Sequence, residues 1–224
     1  MRARSNIARW ATAVLGAAGV ALACAAVALA DREQIHLTAE GQAAARAAVL
    51  TRADLGTASG WSGGMKKPDN TPLTCPSYAP KQSDLVVNGS AESVWKHAGL
   101  ELDAHVDVLQ TPAMVQLDWQ RSVLSSKVMP CLRYQFAKHL PASERLVSFT
   151  RLRFPLLAAD TRAYRLLIDV ASAGTTVRVM TDVVVVGRGR TELTLTTAAP
   201  YVAASVVAPA ELHLARLLVS RFQA

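Results

Sequence analysis

The strongest strand signal in the chain is TTVRVMTDVVVV (175–186), followed by GRG (187–189) and RTELTLTT (190–197). The two long pieces are rich in β-branched residues, which favour strands. The glycines between them accept the positive φ angles of a tight hairpin. Because Val183–Val186 is apolar on both faces, we predict that this strand is central and covered on both sides.

Other segments, which precede this hairpin in the chain, carry the same strand signal. Leu146–Phe154 and Ala163–Ala171 are predicted strands, and Ser172-Ala173-Gly174 turns the chain into the hairpin. Glu92–His97 and Glu101–Leu109 are two earlier strands, and the second alternates apolar with polar residues, as a half-buried strand does. Short connections between consecutive strands predict an antiparallel sheet of about six strands.

Three helices are predicted to cover this sheet. The first runs from a Thr38 cap through an alanine-rich stretch to about Arg52, since alanine has the best helix propensity. Thr111-Pro112 opens a long second helix, in which Pro130 must produce a kink or a break. Pro209 starts the third. The sequence therefore predicts an α+β fold in which three helices flank the sheet.

Residues 1–30 have the pattern of an export signal. Three arginines precede an uncharged run rich in Ala, Val and Leu, which ends at Ala28-Leu29-Ala30. A basic start, an apolar centre and an A-x-A boundary define a secretory signal peptide. We predict cleavage after Ala30, which leaves residues 31–224 as a single exported domain. The alternatives are an uncleaved N-terminal membrane anchor and lipid attachment at Cys24.

Charge and composition narrow the class of partner. The 224-residue chain has a net charge of +7, which falls to +4 without the three arginines of the leader. The basic residues are scattered, with no run of five or more like charges, so we expect no nucleic-acid partner. We predict a location outside the cytosol, secreted or in the bacterial cell envelope, with membrane contact only through an uncleaved leader.

Two cysteines remain if the leader is removed. Cys75 and Cys131 are predicted to form one disulfide in an oxidising compartment, and two separate buried thiols are the alternative. The five histidines lie far apart and pair with no cysteine at the short spacing of a zinc site. We therefore expect no metal and no cofactor.

A resemblance to a known family rests on three parts of the chain. They are the helix end Leu50–Gly56 before Trp61, the Cys75-Pro76 loop, and the hairpin 182–190 with Leu193 and Leu195 on its partner strand. Together they resemble secreted actinobacterial domains of the Mog1/PsbP-like fold, which include envelope lipoproteins and extracellular sensor domains of mycobacterial Ser/Thr kinases. The resemblance implies a helix-flanked antiparallel sheet, no catalysis, and binding of envelope ligands or proteins. The chain departs from the group in allowing one disulfide rather than two and in lacking a convincing lipobox, and no ligand-binding residue transfers.

One short motif raises the possibility of an enzyme. Gly60-Trp61-Ser62-Gly63-Gly64 matches G-x-S-x-G, in which a strand must precede the nucleophilic serine and a helix must follow it. Here Met65-Lys66-Lys67-Pro68 and a proline-containing loop follow. We interpret the motif as a flexible glycine turn, and a secreted hydrolase that uses Ser62 is the alternative.

Two sets of charged residues share predicted strand faces. One face of an early strand carries Glu101, Asp103, His105 and Asp107. Close carboxylates there could act as an acid–base pair, but we interpret this face as the solvent side of the strand. A second set consists of Arg151, Arg153 and Arg165. These arginines could receive an anionic group, and a solvated sheet surface is the interpretation that we favour.

Three aromatic residues are candidates for ligand contact. Trp95, Trp119 and Tyr134 could line a pocket for an apolar or sugar-like ligand, with core packing as the alternative. We therefore predict a secreted, non-catalytic binding or sensor-like module of the cell envelope. Its ligand would be a lipid or other hydrophobic or amphipathic small molecule, or a partner protein. A purely structural interaction domain is a further alternative.

Overall fold

The computed structural model describes residues 31–172 and 174–222. The predicted signal peptide, its cleavage site and Cys24 lie outside these residues. The strands are β1 (Gln34–Ile35), β2 (Ser62–Lys66), β3 (Val86–His97), β4 (Leu100–Leu109), β5 (Glu144–Arg151), β6 (Asp160–Ser172), β7 (Thr175–Arg188) and β8 (Thr191–Pro200). The helices are α1 (Ala39–Ala48), α2 (Pro112–Asp118), α3 (Val128–His139) and α4 (Ala204–Ser220).

All eight strands form one mixed sheet. Its order is β1-β3-β4-β8-β7-β6-β5, and β2 also pairs with β3. Every pairing is antiparallel except that of β1, which runs parallel to β3. The predicted α+β class and the central position of β7 are confirmed. The strand number of about six and the purely antiparallel sheet are wrong.

The two unpredicted strands are short and lack the usual sequence signal. β1 has two residues, and it is held by hydrogen bonds from the Gln34 amide to the Leu85 carbonyl and from the His36 amide to the Val87 carbonyl, both 2.9 Å long. β2 has the sequence SGGMK, in which glycine opposes strand formation. Its pairing with residues 92–96 of β3 supplies the hydrogen bonds that propensity does not predict.

The predicted second helix is in fact two helices. α2 ends at Asp118 and continues as a π-helical turn over Trp119–Val123, whereas α3 begins at Val128. Pro130 lies in the first turn of α3, where a missing N–H costs no helical hydrogen bond. The break therefore falls before Pro130 rather than at it.

The last helix also begins earlier than predicted. α4 starts at Ala204, so Pro209 lies inside it rather than at its first position. By length and composition, the described helical segment Tyr201–Ser220 is apolar enough to cross a membrane. Leu214 and Leu218, however, are buried against the sheet.

The helices divide the sheet into two faces. α1 and α4 cover what we call the core face, a continuous apolar cluster with side chains from β3, β4, β6, β7 and β8. α2 and α3 cover the opposite face, which we call the cavity face. On the core face, α1 lies directly on β3, because a Cβ at Gly89 would stand 2.0 Å from the carbonyl oxygen of Gly41. Val184 and Val186 point to the core face, and Val185 points to the cavity face, so β7 is covered on both sides.

The predicted disulfide is confirmed. It joins Cys75 to Cys131 across 56 residues with a Cα–Cα distance of 5.7 Å, within the usual range for a disulfide. Around it, Tyr78 and Val128 form a small buried cluster with Cys131, and the Tyr78 hydroxyl donates to the Arg121 carbonyl. The disulfide therefore ties the irregular segment before β3 to α3 on the cavity face.

Candidate ligand-binding site

A cavity of about 410 Å³ lies on the cavity face, between the sheet and the π-helical turn that follows α2. Seven of the 17 acidic residues of the chain line it: Glu33, Asp69, Glu92, Asp103, Asp107, Asp118 and Glu192. Among the described residues that line the cavity, only His105 is basic. Negative charge is therefore concentrated at this one place in a chain whose net charge is positive.

The alternation of β4 positions three of the lining side chains. Asp103, His105 and Asp107 share one face, as predicted, but that face lines the cavity. The prediction that it faces solvent is wrong, because α2 and the turn after it cover this part of the sheet. Glu101 shares the same strand face at the start of β4, where its Oε2 lies 3.0 Å from the Lys96 Nζ.

Neighbouring strands and connecting segments supply the acidic residues that sequence reasoning missed. Glu92 of β3 is paired with His105, and Glu192 of β8 is paired with Asp107. The alternating TELTLT pattern of β8 places Glu192 on the same strand face as Thr194 and Thr196, so this residue could have been predicted from the sequence. No sequence pattern indicates the three residues that come from outside the central strands: Glu33, Asp69 and Asp118.

Part of this acidic wall is neutralised by an internal ion network. The Lys66 Nζ lies 2.7 Å from Glu92 Oε1 and 3.1 Å from Asp103 Oδ2. The His105 Nε2 lies 2.9 Å from Asp107 Oδ2, and its Nδ1 lies 3.8 Å from Glu92 Oε2. Burial opposes the charge on both Glu92 and His105, but the oppositely charged partners outweigh it. They lower the pKa of Glu92 to about 2 and raise the pKa of His105 to about 10.

For three other carboxyls of the cavity, burial outweighs any compensation. Burial, reinforced by neighbouring carboxylates, raises the pKa of Glu33 to about 7. The same causes raise the pKa of Asp103 to about 6, although Lys66 opposes the shift. Burial, with Asp118 and Asp107 nearby, also raises the pKa of Glu192 well above its ordinary value. The cavity therefore holds more carboxyl groups than its own cations neutralise.

Glu192 shows this imbalance at a single atom. Its Oε1 is fully buried and accepts no hydrogen bond from the residues that the structure describes. Asp118, by contrast, accepts hydrogen bonds from Ser122 Oγ at 2.7 Å and from Gln82 Nε2 at 3.1 Å. A buried oxygen without a partner is costly, so Glu192 presents an unfilled acceptor to the cavity.

The wall of the cavity is mixed in character. Trp119, Val123 and Val185 contribute apolar surface beside the carboxyls. Within residues 31–172 and 174–222, no group of three His, Cys, Asp or Glu side chains is arranged to hold a metal ion. The carboxyls are spread around the wall instead of converging on one point, so the cavity can take a ligand that carries both positive charge and apolar surface.

The three predicted aromatic residues do not come together. Trp95 points to the core face, where its Nε1 donates to the Leu50 carbonyl at 3.2 Å. Trp119 lines the cavity. Tyr134 is 42% exposed on α3, with the Lys138 Nζ 5.8 Å from its ring centroid. Ligand binding by these residues stays a prediction, with Trp119 placed at the cavity described above.

The G-x-S-x-G motif lies in a strand instead of a turn. Ser62 begins β2 and is exposed, and the strand continues through Lys66. The helix that a nucleophile elbow requires after the serine is therefore replaced by an edge strand. The prediction of a flexible glycine turn is wrong for residues 62–64, which lie in β2, whereas Gly60 does lie in a turn.

The three predicted arginines lie on different faces of the sheet. Arg165 points to the core face, where its Nε and Nη2 donate to Asp182 at 2.6 and 2.5 Å. Arg151 is paired with Tyr164, one residue before Arg165, so the pleat directs it to the opposite face. Arg153 lies beyond the end of β5. A shared anion site that includes Arg165 is therefore excluded by the strand register.

Comparisons with known proteins find weak similarity to solved structures. No family model matches the chain, and no curated protein matches it. Pseudomonas aeruginosa PA94, a protein of unknown function described as a candidate regulator, is 10% identical over 69% of this chain and 80% of its own, with a TM-score of 0.29. Mycobacterium tuberculosis LpqN, which is involved in cell envelope biogenesis, is 12% identical over 69% of this chain and 75% of its own, with a TM-score of 0.29. The Mog1/PsbP-like assignment is not confirmed by these similarities and stays a prediction.

Proposed function

We propose that this protein is a non-catalytic binding module of the bacterial cell envelope, and that it holds an amphipathic cation in the acidic cavity. The observation that carries the proposal is the buried, unpartnered Oε1 of Glu192 in a wall that contains six further acidic residues. A cationic group would give this oxygen a charge-assisted hydrogen bond, which is stronger than a neutral one.

The mixed wall supports an amphipathic ligand. An amine could reach Glu192 and Asp107, while an alkyl or aromatic part packs on Val123 and Val185. Trp119 offers an aromatic face, on which cations also bind favourably. A volume of about 410 Å³ is that of a small-molecule pocket. A lysine or arginine side chain of a partner protein would satisfy the same groups.

A location in the cell envelope is supported by the sequence and by the disulfide. Residues 1–30 have the pattern of an export leader. Disulfides persist in oxidising compartments and are rare in the cytosol, and Cys75–Cys131 is such a bond. Both features fit a protein that meets its ligand outside the cytosol.

Binding of octylamine to the full chain tests the proposed ligand class. Glu192→Gln keeps the shape of the side chain but removes the carboxylate, so we expect at least about tenfold weaker binding by isothermal titration calorimetry near pH 8. Glu101→Gln is the matched control, because Glu101 lies on the same sheet face but pairs with Lys96. Equal octylamine affinity in the wild type and Glu192→Gln would refute the proposal.

Hydrolysis is the second candidate function. It is favoured by the different pKa values of the Glu92 and Asp103 carboxyls. The pKa of Glu92 is lowered to about 2 while that of Asp103 is raised to about 6, a split typical of acid–base pairs. Activity towards nitrophenyl esters and glycosides that disappears in Asp103→Asn would favour hydrolysis over binding alone. Loss of esterase activity in Ser62→Ala would instead assign it to the serine motif.

A further inference from the structure

A second cavity, of about 330 Å³, lies at the other edge of the sheet. β5 ends at Arg151 while β6 extends back to Asp160, and the chain after β5 crosses beside the uncovered end of β6. The Leu152 amide donates to the Ala163 carbonyl at 2.8 Å, and the amides of Leu157 and Ala158 donate to Thr161 Oγ1 at 3.1 and 3.0 Å. These bonds fix the walls of the cavity, which we call the arginine groove.

The charged residues that line the arginine groove are all arginines: Arg151, Arg153 and Arg162. Arg151 and Arg153 form no ion pair within residues 31–172 and 174–222. Arg162 donates to the Thr161 carbonyl at 2.8 Å. Nearby Arg165, by contrast, is paired with Asp182. The groove therefore presents positive charge that no carboxylate of its lining neutralises.

The rest of the groove lining is mainly apolar. Leu152 and Phe154 pack partly against the core and also line the groove. Leu156 lines it as well and is 74% exposed. An exposed leucine beside three arginines suits a molecule with an anionic head and an apolar chain.

We infer that the arginine groove is a second binding site, separate from the acidic cavity, for an amphipathic anion. The guanidinium groups of Arg151 and Arg153 take the carboxylate or phosphate head, because arginine matches such planar or tetrahedral oxyanions with paired N–H donors. Leu152, Phe154 and Leu156 contact the chain. Head and chain together are required, since each half of the site is open to solvent and weak alone.

The experiment measures octanoate binding to the full chain by isothermal titration calorimetry. The double variant Arg151→Gln/Arg153→Gln should weaken octanoate binding at least about tenfold, because two charge-assisted contacts are lost. Arg188→Gln/Arg216→Gln is the matched control, since both arginines are exposed and lie outside the groove. Leu156→Ala should weaken octanoate binding several-fold, and because Leu156 is 74% exposed, its truncation should leave the fold intact.

Three further probes make the outcome decisive. Acetate, which has the head without the chain, and octylamine, which reverses the charge, should not compete with octanoate. Octanoate affinity that is equal in the wild type and in the groove double variant would overturn the inference, as would equal affinity for acetate and octanoate. Glu192→Gln should leave octanoate binding unchanged, so failure of the acidic-cavity proposal and failure of this one are distinguishable.

Discussion

Asp182 and Glu192 lie on opposite faces of the sheet, and they differ in whether their buried carboxyl oxygens have a partner. On the core face, Asp182 is fully buried and accepts two hydrogen bonds from Arg165, at 2.6 and 2.5 Å. On the cavity face, Glu192 has a buried oxygen without a partner among the described residues. The two side chains come from adjacent strands, β7 and β8, in which Val183 faces Thr196.

The difference shows where charge is structural and where it is available for a ligand. A charge in a packed interior persists only when it is paired, as Asp182 is. Glu211 on α4 is 2% exposed, and burial together with Asp182 raises its pKa to about 7, which favours the neutral acid. The cavity face tolerates unpaired carboxyls because a cavity of about 410 Å³ leaves room for water or a ligand beside them.

The largest effect is expected from the ion pair of the core face. Arg165→Met leaves Asp182 fully buried without its partner, and breaking a buried pair costs about 3–5 kcal/mol. The double variant Arg165→Met/Asp182→Leu removes both charges and should recover most of that loss. Urea unfolding of the full chain measures both values.

An exposed ion pair provides the control for this experiment. Arg178 is paired with Asp169 at 2.8 Å, and its side chain is 44% exposed. Arg178→Met should therefore cost much less stability than Arg165→Met, because solvent screens an exposed ion pair. A loss in Arg165→Met as small as that in Arg178→Met would show that the core face does not depend on pairing its charge.

Removal of the disulfide should weaken the cavity face selectively. Cys75→Ser/Cys131→Ser opens a 56-residue loop, for which loop entropy predicts a loss of about 3–4 kcal/mol. Because Cys131 lies on α3, amide hydrogen exchange should accelerate in α3 and in the segment before β3 more than in α1 and α4. Equal acceleration on both faces would mean that the disulfide stabilises the domain as a whole. The unaltered protein should contain no free thiol among these two cysteines.

The core of the fold could be predicted because its strands carry a strong local signal. The β-branched runs of β7 and β8 identify a central hairpin whatever covers it. β1 and β2 could not be predicted, since a two-residue strand and an SGGMK segment exist only through pairing with β3. The division between α2 and α3 was missed because proline suggested the wrong position for the break.

The candidate site was predictable in part. Alternation in β4 placed Asp103, His105 and Asp107 together, but it says nothing about which elements cover their face. Glu33 and Asp118 enter the cavity from segments far apart in the chain, and no local pattern brings such segments together. Strand alternation also explains why the predicted aromatic residues lie apart. Trp95 is paired with Leu102, one of the apolar residues of β4, so it points to the core face.

The last prediction concerns the effect of pH on the buried carboxyls of the cavity face. The pKa of Glu33 is raised from 4.5 to about 7 and that of Asp103 from 3.8 to about 6. The folded state therefore binds more protons than the unfolded state in this range, and stability falls as pH rises from about 4 to 7. The pKa of His105 is raised from 6.5 to about 10. Its stabilising contribution is therefore complete below pH 6.5 and is lost as the pH rises from 6.5 to about 10.

Glu192→Gln separates this electrostatic penalty from the fold itself. The amide cannot ionise, so the variant should be about 1 kcal/mol more stable than the wild type near pH 8, although it binds octylamine more weakly. Glu33→Gln should flatten the fall in stability between about pH 4 and 7. Thermal unfolding across the pH range measures these differences. A wild-type profile that rises with pH over this interval would mean that the carboxyls of the cavity face are paired with cations, as Asp182 on the core face is.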